Sequence, residues 1–352
     1  MISRSLSIVV LVLIGVFPSC SRSSFSTSSS AEQESKNATL VEKYLRFEAK
    51  FDGLGMVRFS NSGDKVFLSN RNGVSALDSL TGEVVWDYQL GLQAPPELIV
   101  GKGDRVYVES APGELLLLNS QSGALVTEFE LKEAKGSYRE LVDAFEVDDG
   151  KAIIVRSGSR TLAKINLSTG ERHEVLGLKE SATIFGGTRV PILTILAAAD
   201  KSVVFLANGK LASVDLESGK ARLLDENRKF QHGLYSKNLD ANSCFIVSEA
   251  KELFCVELES KTVSLTLLET EFPNSGNRAR IFPEEKLVVR PGGHTKLGKF
   301  ALVFQKEKPQ KEILWGSIGV IDIQSSLSGK CFLTFNLSGE IAVWNTVPRA
   351  EE

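Results

Sequence analysis

The chain has 352 residues, a length that suits two average domains or one large all-β unit. Hydrophobic residues make up 42% of the chain and charged residues 24%, which is the balance of an ordinary globular protein. The formal net charge of −3 provides no excess of basic residues, so nucleic acids and anionic surfaces are not expected as partners.

The first residues have the pattern of a secretory signal. An unbroken apolar run at residues 8–17 follows Arg4 and precedes Pro18. As a helix this run rises only about 15 Å, half the thickness of a bilayer core. We therefore predict a signal peptide at residues 1–22, with two alternatives: an uncleaved anchor, or a bacterial lipoprotein signal with an acylated Cys20.

Residues 23–44 are rich in serine and poor in apolar side chains, so a flexible leader is expected there. The end of this leader overlaps a helical pattern of apolar residues. Leu40, Tyr44 and Phe47 have helical spacing, which makes residues 37–50 a candidate helix.

Three Asn-x-Ser/Thr triplets are candidate N-glycosylation sites, provided that the chain enters the endoplasmic reticulum (ER). They begin at Asn37, Asn166 and Asn336. The second and third lie in predicted hairpin turns, where a glycan could be tolerated.

A six-residue turn sequence then recurs along the chain. In its first copy, the Asp78 carboxylate can accept hydrogen bonds from backbone N–H groups two residues on, and Gly82 can adopt a positive φ. The apolar residues before and after the turn are strand formers. The same positions are occupied in three further copies by Asn119 and Gly123, Asn166 and Gly170, and Asp215 and Gly219.

The spacing of these copies predicts the fold. The turn glycines are 41, 47 and 49 residues apart (123 − 82, 170 − 123 and 219 − 170), and a degraded copy ends 42 residues later at Lys261. A period in the forties with several short strands is typical of a β-propeller. We predict one all-β domain at residues 45–347, a single propeller of seven or eight four-stranded blades, followed by a tail at residues 348–352. The alternative is a set of unrelated hairpins in another all-β fold.

The predicted blades follow one another along the chain, and one region departs from the pattern. Residues 269–312 contain four prolines and clusters of charge, and we interpret them as a degenerate blade or as a blade with long loops. The regular blades are expected at residues 57–90, 97–131, 141–176, 192–224, 233–268 and 319–345.

Cys244 and Cys255 flank a predicted hairpin. Two alternatives stay open for them: a disulfide across the two strands in an oxidising compartment, or two small core residues. Cys331 has no evident partner and is expected in the core.

The sequence contains no recognisable catalytic or metal-binding pattern. Its three histidines, His173, His232 and His294, are far apart and lack metal-ligand spacing. Residues 293–300 resemble a phosphate-binding loop, but Phe300 replaces the magnesium-binding Ser or Thr and strand-forming residues follow. We therefore expect no enzymatic activity, no cofactor, no metal and no small-molecule substrate.

Trp86, four residues after the first turn glycine, is expected to pack between two blades. In quinone-dependent dehydrogenases a tryptophan repeats at this position. Here the matching residues are Thr127, Glu174 and Leu223, so the repeated tryptophan is mostly missing.

The segment at residues 56–90 resembles the quinoprotein-type propeller repeat through Ala76, Leu77, Asp78, Gly82 and Trp86. More narrowly, it is similar to the first blade of the subunit 1 family of the ER membrane protein complex. This resemblance implies a non-catalytic lumenal scaffold with other subunits as partners and membrane proteins as clients. Members of that family continue to a second propeller region and a transmembrane helix, whereas this sequence stops at Glu352.

Two alternatives to that family remain. The propeller lipoprotein of the bacterial outer-membrane β-barrel assembly machine has a signal and quinoprotein-type blades, and it would be anchored in the periplasm through Cys20. A degenerate quinone-dependent dehydrogenase is the enzymatic alternative, but the chain lacks the length and the ligand-rich blade loops of such enzymes. For a scaffold, we expect the loops of residues 269–312 to form the contact surface.

Overall fold

The structure is a computed structural model. It describes residues 43–131, 144–157, 161–177, 183–185, 192–237, 243–259, 262–270, 280–282, 287–291, 299–304, 311–314, 320–326, 329–336 and 338–348. The predicted signal peptide, the leader up to residue 42 with Asn37, Cys20, and the last four residues of the tail lie outside this part of the chain.

Within the described residues, 28 strands form seven four-stranded antiparallel sheets, and each sheet is one blade. The first strand among these residues is β1 (Leu45–Lys50). Blade 1 consists of β2 (Val57–Phe59), β3 (Lys65–Asn70), β4 (Gly73–Asp78) and β5 (Val84–Gln89). Blade 2 consists of β6 (Glu97–Val100), β7 (Val106–Ala111), β8 (Glu114–Leu118) and β9 (Leu125–Glu130).

Blades 3 to 5 repeat this arrangement. Blade 3 consists of β10 (Phe145–Val147), β11 (Ala152–Ser157), β12 (Thr161–Asn166) and β13 (Arg172–Leu176). Blade 4 consists of β14 (Ile192–Ala198), β15 (Ser202–Ala207), β16 (Lys210–Asp215) and β17 (Ala221–Leu223). Blade 5 consists of β18 (Phe230–Lys237), β19 (Ser243–Ser248), β20 (Leu253–Leu258) and β21 (Val263–Glu269).

The irregular region near residues 269–312 contains a complete blade. Blade 6 consists of β22 (Arg280–Phe282), β23 (Leu287–Pro291), β24 (Lys299–Phe304) and β25 (Lys311–Leu314). The segment that resembles a phosphate-binding loop therefore leads into a strand, β24, as its sequence predicts. The loops expected to form a contact surface lie largely outside the described residues.

The ring closes through the N-terminal strand. Blade 7 consists of β26 (Val320–Ser325), β27 (Cys331–Asn336) and β28 (Glu340–Asn345), with β1 as its outer strand. The pairing of β1 with β28 runs from Leu45 opposite Trp344 to Lys50 opposite Glu340. Closure therefore completes the seventh blade, and no eighth blade forms within the described residues.

The candidate helix at residues 37–50 is wrong over its second half, because residues 45–50 form β1. Its helical spacing of apolar residues is overridden by the backbone hydrogen bonds that β28 offers along this strand. Phe47 still becomes buried, but it packs between blades rather than on a helix face.

Hydrophobic clusters hold neighbouring blades together. Each of the six clusters among the described residues joins two consecutive sheets of the ring. Second strands such as β3 and β15 are buried along their whole length, because both of their faces meet another blade. No helix of the described residues is long and apolar enough to cross a membrane.

The antiparallel order places the turns of each blade on two faces of the ring. The turns between first and second strands lie beside those between third and fourth strands, as the hydrogen bond from Ser79 N to Asp64 O shows in blade 1 (2.9 Å). The face that carries both kinds of turn is called the motif face below, because it holds the repeated turn sequence. The remaining turns lie on the opposite face.

Candidate functional site

The repeated turns have the predicted geometry. In the first copy, Asp78 Oδ1 accepts hydrogen bonds from the backbone N–H groups of Leu80 and Thr81, both at 2.8 Å. Gly82 has φ +77°, and its N–H donates to the Asp78 carbonyl at 2.9 Å. These bonds from backbone N–H groups, with that of Thr81 the strongest, lower the pKa of Asp78.

The other three copies repeat this arrangement. The side-chain oxygens of Asn119, Asn166 and Asp215 accept from backbone N–H groups of their own turns at 2.7–3.1 Å. Their glycines also have positive φ values, which are +70° for Gly123, +67° for Gly170 and +67° for Gly219. In all four copies, the Asp or Asn side chain thus accepts hydrogen bonds within its own turn and the glycine has a positive φ.

Trp86 joins blade 1 to the turn of blade 2. Its indole Nε1 donates to the Ser120 carbonyl at 2.8 Å, and its ring lies against Gly123. A Cβ at Gly123 would be 2.6 Å from Cε3 of Trp86, so only glycine allows this contact. The prediction that Trp86 packs between blades is confirmed.

Phe47 makes the equivalent contact at the joint between blade 7 and blade 1. It lies on the outer strand of blade 7, and a Cβ at Gly82 would be 2.5 Å from its Cδ2 atom. At two consecutive joints, an aromatic ring of one blade thus packs on the turn glycine of the next blade. At the joint between blades 3 and 4, the nearest atom to a Cβ at Gly219 is the backbone carbonyl of Val175, at 3.2 Å.

A charged cluster on the motif face was not predicted from the sequence. Its centre is Glu146 on the inner strand of blade 3, whose side chain is only 1% exposed. Arg105 of blade 2 donates to both carboxylate oxygens, from Nε to Oε2 at 2.9 Å and from Nη2 to Oε1. The Tyr107 hydroxyl donates to Oε2 at 2.9 Å. Gly101 leaves room for this carboxylate, since a Cβ there would be 1.9 Å from Oε2.

The cluster extends to the inner turns of blades 3 and 4. Asp148 and Asp149 both have left-handed backbone conformations, with φ values of +53° and +52°. The Asp148 carboxylate contacts Lys164, and its backbone N–H donates to Asp200 Oδ1 at 2.9 Å. Asp200 also lies 3.7 Å from the Lys102 ammonium. We call these eight residues the rim cluster: Lys102, Arg105, Tyr107, Glu146, Asp148, Asp149, Lys164 and Asp200.

Hydrogen bonds, burial and nearby charge fix the protonation states of Arg105 and Tyr107. The hydrogen bonds to Glu146 raise the pKa of Arg105 further above its usual value. Burial, followed by the nearby negative charge of Glu146, raises the pKa of Tyr107. Near neutral pH, Arg105 therefore stays charged and Tyr107 stays neutral, and their hydrogen bonds to Glu146 link two blades.

The distance along the chain was the signal that could have revealed this cluster. Arg105 and Glu146 are 41 residues apart, and Tyr107 and Glu146 are 39 apart. Both separations are close to one blade of the repeat, so residues at corresponding places in neighbouring blades come together. Residues 148–150 form a short turn between β10 and β11, and the contacts of this turn were not predicted from the sequence.

Cys244 and Cys255 do not form a disulfide, and both are buried. In the pairing of β19 with β20, Cys244 lies opposite Val256, and Phe245 lies opposite Cys255. Side chains of successive register positions point to opposite faces of a sheet, so the two thiols are on different sides of blade 5. The core alternative is therefore correct, and the expected core position of Cys331 is confirmed.

The candidate glycosylation sites differ in accessibility. Asn336 is only 2% exposed, and its Nδ2 donates to Glu340 Oε2 at 2.6 Å. The folded protein has no space for a glycan on that atom, so Asn336 is not a suitable site. Asn166 is half-buried in the third repeated turn, where its Oδ1 serves the turn amides.

Candidate metal ligands and histidines are dispersed over the described residues. No group of three or more His, Cys, Asp or Glu side chains in this part of the chain is arranged to hold a metal ion. His173 lies exposed on β13, and residue 232 belongs to β18, far along the ring. The third histidine, His294, lies outside the described residues.

The chain is similar to one family and to propellers of known structure. A family model described as "Outer membrane protein assembly factor BamB" matches residues 70–226, which extend from blade 1 to the end of blade 4. No curated protein matches the chain. The crystal structure of the Myceliophteria thermophila Cps50 (Swd1) β-propeller domain aligns with a TM-score of 0.61 at 11% identity, covering 86% of this chain and 99% of that one. At this identity the structural likeness shows the fold alone, and together with the family match it supports a quinoprotein-type propeller.

Proposed function

We propose that this protein is a non-catalytic scaffold in a membrane-associated machine that assembles or inserts membrane proteins. The observation that carries this proposal is the match of residues 70–226 to the family described as an outer membrane protein assembly factor. A rigid ring with variable turns suits such a role, because turns can change without disturbing the blade cores.

The match favours the bacterial alternative over the ER complex. The family matched by residues 70–226 carries the name of an assembly factor of the outer membrane. In the bacterial form, Cys20 would be acylated and the propeller would lie in the periplasm. In the ER form, the signal peptide would be removed and Asn37 or Asn166 would be glycosylated. The mass of the mature N-terminal peptide distinguishes these two forms.

We further propose that the rim cluster is part of the surface that contacts other subunits. It lies on the motif face at the inner turns of blades 2 to 4, and the Asp149 side chain is exposed. Two successive non-glycine residues with left-handed backbone cost about 1–3 kcal/mol each, and such strain is concentrated at functional positions. Charged groups held rigidly by Glu146 and Arg105 would give a partner a fixed pattern to recognise.

A pull-down under mild detergent tests the scaffold. Tagged full-length protein is expected to recover subunits of a membrane complex. Asp149→Asn removes the exposed charge and keeps a side chain that tolerates the left-handed backbone, so it should recover fewer subunits while its melting temperature stays close to that of the wild type. Glu226→Gln, which removes an exposed charge on the opposite face, is the matched control and should keep the subunits. Recovery of a free monomer without any membrane partner, or quinone-dependent turnover of an alcohol or sugar by the purified protein, would contradict the proposal.

A further inference from the structure

The exposed large hydrophobic side chains are concentrated at one corner of the ring. Eight such residues occur in the described part of the chain, and six of them belong to three consecutive blades, 7, 1 and 2. We call these six residues the apolar corner: Leu80 (63% exposed), Val84 (58%), Val85 (46%), Leu125 (40%), Val126 (59%) and Val347 (56%). The other two, Leu267 and Leu268, lie on β21 of blade 5.

The blade geometry places these residues at the motif face of three neighbouring blades. Every outer strand starts at the motif face, so Val84 and Leu125 directly follow their turns on the same side of the ring. The contact of Trp86 with Gly123 ties the start of β5 to the turn before β9. Val347 follows β28 at the same face, because Thr346 N donates to the Lys330 carbonyl of the inner turn of blade 7 at 3.0 Å.

The fold itself does not require apolar side chains at these places. The positions two and three residues after the turn glycine are Val84 and Val85 in blade 1 but Arg172 and His173 in blade 3. The position of Leu80 in the first turn is taken in the other turns by Gln121, Ser168 and Glu217. Blades 1 and 2 therefore carry exposed apolar groups where equivalent blades carry polar ones, which is typical of an interaction surface.

The backbone at this corner opposes the addition of a further strand. Val85 and Val126 are each an extra residue in their outer strand, since Ala76 pairs with Trp86 while Leu77 pairs with Val84, and the same shift occurs before Thr127. Such bulges twist an edge strand away from regular pairing. The corner thus presents aliphatic side chains rather than a regular row of backbone groups.

The path of the chain points to a lipid surface. The N-terminal residues, which include the apolar run at residues 8–17, join the fold at Lys43 and lead into β1 at the motif face of blade 7. Phe47 of this strand rests on Gly82, the last residue of the turn that carries Leu80. In the form with an acylated Cys20, the chain that leads from the membrane therefore enters the fold beside the apolar corner.

We propose that the apolar corner docks on the lipid surface of a membrane and orients the ring there. This inference rests on the proposed membrane-associated function and names the surface that faces the bilayer. The turns at residues 78–83 and 119–124 contain no lysine or arginine, so the attraction at blades 1 and 2 is apolar. Binding is therefore expected with uncharged phosphatidylcholine vesicles, and with little dependence on salt.

The test uses the purified full-length protein with phosphatidylcholine vesicles and no other protein. Hydrogen exchange is expected to slow at residues 79–86 and 120–127 when vesicles are added, and to stay unchanged at residues 264–269. This readout is specific to the corner, so binding by residues 8–17 does not produce it. The double variant Leu80→Ser/Val126→Ser should bind vesicles about tenfold more weakly, because two exposed aliphatic side chains are removed from the contact.

The matched control is Leu267→Ser/Leu268→Ser, which removes two exposed leucines from blade 5 and should bind vesicles like the wild type. Unchanged exchange at the corner, or equal vesicle binding by both double variants, would overturn the proposal. So would a lipid-free dimer that Leu80→Ser/Val126→Ser converts to a monomer, because the corner would then be an interface between copies. Loss of a protein partner from the pull-down by this variant, with unchanged vesicle binding, would identify a protein interface instead. The vesicle assay contains no other subunit. A negative result in it would therefore not contradict the scaffold function, which the pull-down tests separately.

Discussion

At the scale of single residues, Gly123 meets a local and a tertiary requirement at once. Its φ of +70° ends the turn that Asn119 organises, and its missing Cβ admits the ring of Trp86 from the preceding blade. Gly91 has a similar φ of +62°, but a Cβ there would have no heavy atom within 4 Å, so this glycine meets the local requirement alone. A comparison of substitutions at the two glycines therefore separates the free-energy cost of backbone strain from that of disturbing the contact with Trp86.

Substitution of these glycines tests that separation. Gly91→Val should lower the free energy of unfolding by about 1–3 kcal/mol, because a β-branched residue is held at positive φ. Gly123→Val, like Gly82→Val, should cost about 1–3 kcal/mol more, since the new side chain also displaces an aromatic ring. Chemical denaturation of the three variants measures the difference. Equal losses at Gly91 and Gly123 would show that the aromatic contact does not matter for stability.

At the scale of elements, β1 is the strand on which closure of the ring depends. It pairs only with β28, and it carries Phe47 onto the turn of blade 1. Arg46 adds a side-chain bond from its Nε to Asn345 Oδ1 at 2.6 Å across 299 residues of chain. The contacts that complete blade 7 are thus the most distant in sequence, and their loss opens the joint between the first and last blades.

Phe47→Ala should lower the free energy of unfolding by about 3–5 kcal/mol, because a large buried side chain is removed from the cluster between blades 7 and 1. Lys50→Ala on the same strand removes an exposed side chain and should stay within about 0.5 kcal/mol of the wild type. Thermal and urea unfolding report both values. If Phe47→Ala is as stable as Lys50→Ala, closure through β1 contributes little to the ring.

At the scale of the whole molecule, acidic turn residues make stability depend on pH. Burial alone would raise the pKa of Asp64, but hydrogen bonds from Ser62, Ser60 and Lys65 outweigh it and lower the pKa from 3.8 to about 2. The pKa values of Asp78 and Asp215 are lowered too, chiefly by hydrogen bonds from Thr81 N–H and the Ser218 hydroxyl respectively. These carboxylates favour the folded state only while they are ionised.

We therefore expect the melting temperature to be constant above about pH 5 and to fall as the pH is lowered toward about 2. The sign follows from a folded pKa below the unfolded value: the stabilising contribution is complete above the unfolded pKa and is lost as the pH falls through the folded one. Calorimetry between these pH values measures the change. The variant Asp64→Asn should show a shallower fall, and a steeper or identical fall would contradict the assignment to Asp64.

The sequence by itself determined the repeated turns, the strand pattern and the propeller. Asp78 and Gly82 are recognisable because their interactions span only a few residues, and the spacing of the copies implies blades of similar size. The position of Trp86 also follows, since a large apolar side chain just after such a turn needs a neighbouring blade to cover it. Local hydrogen bonds and backbone conformations can be predicted from the sequence, because they involve residues that are close together along the chain.

The tertiary structure alone decided which side chains meet across blades. A period shows that residues about one repeat apart are neighbours, but it does not show that Glu146 would be buried against Arg105 and Tyr107. The strand at β1 forms because it pairs with β28, which lies 290 or more residues away, and no local pattern records that partner. Cys244 and Cys255 lie on opposite faces because of a one-residue difference in register. Register and closure are set by the packing of the whole ring, and this packing also gathers Leu80, Val126 and Val347 at one corner.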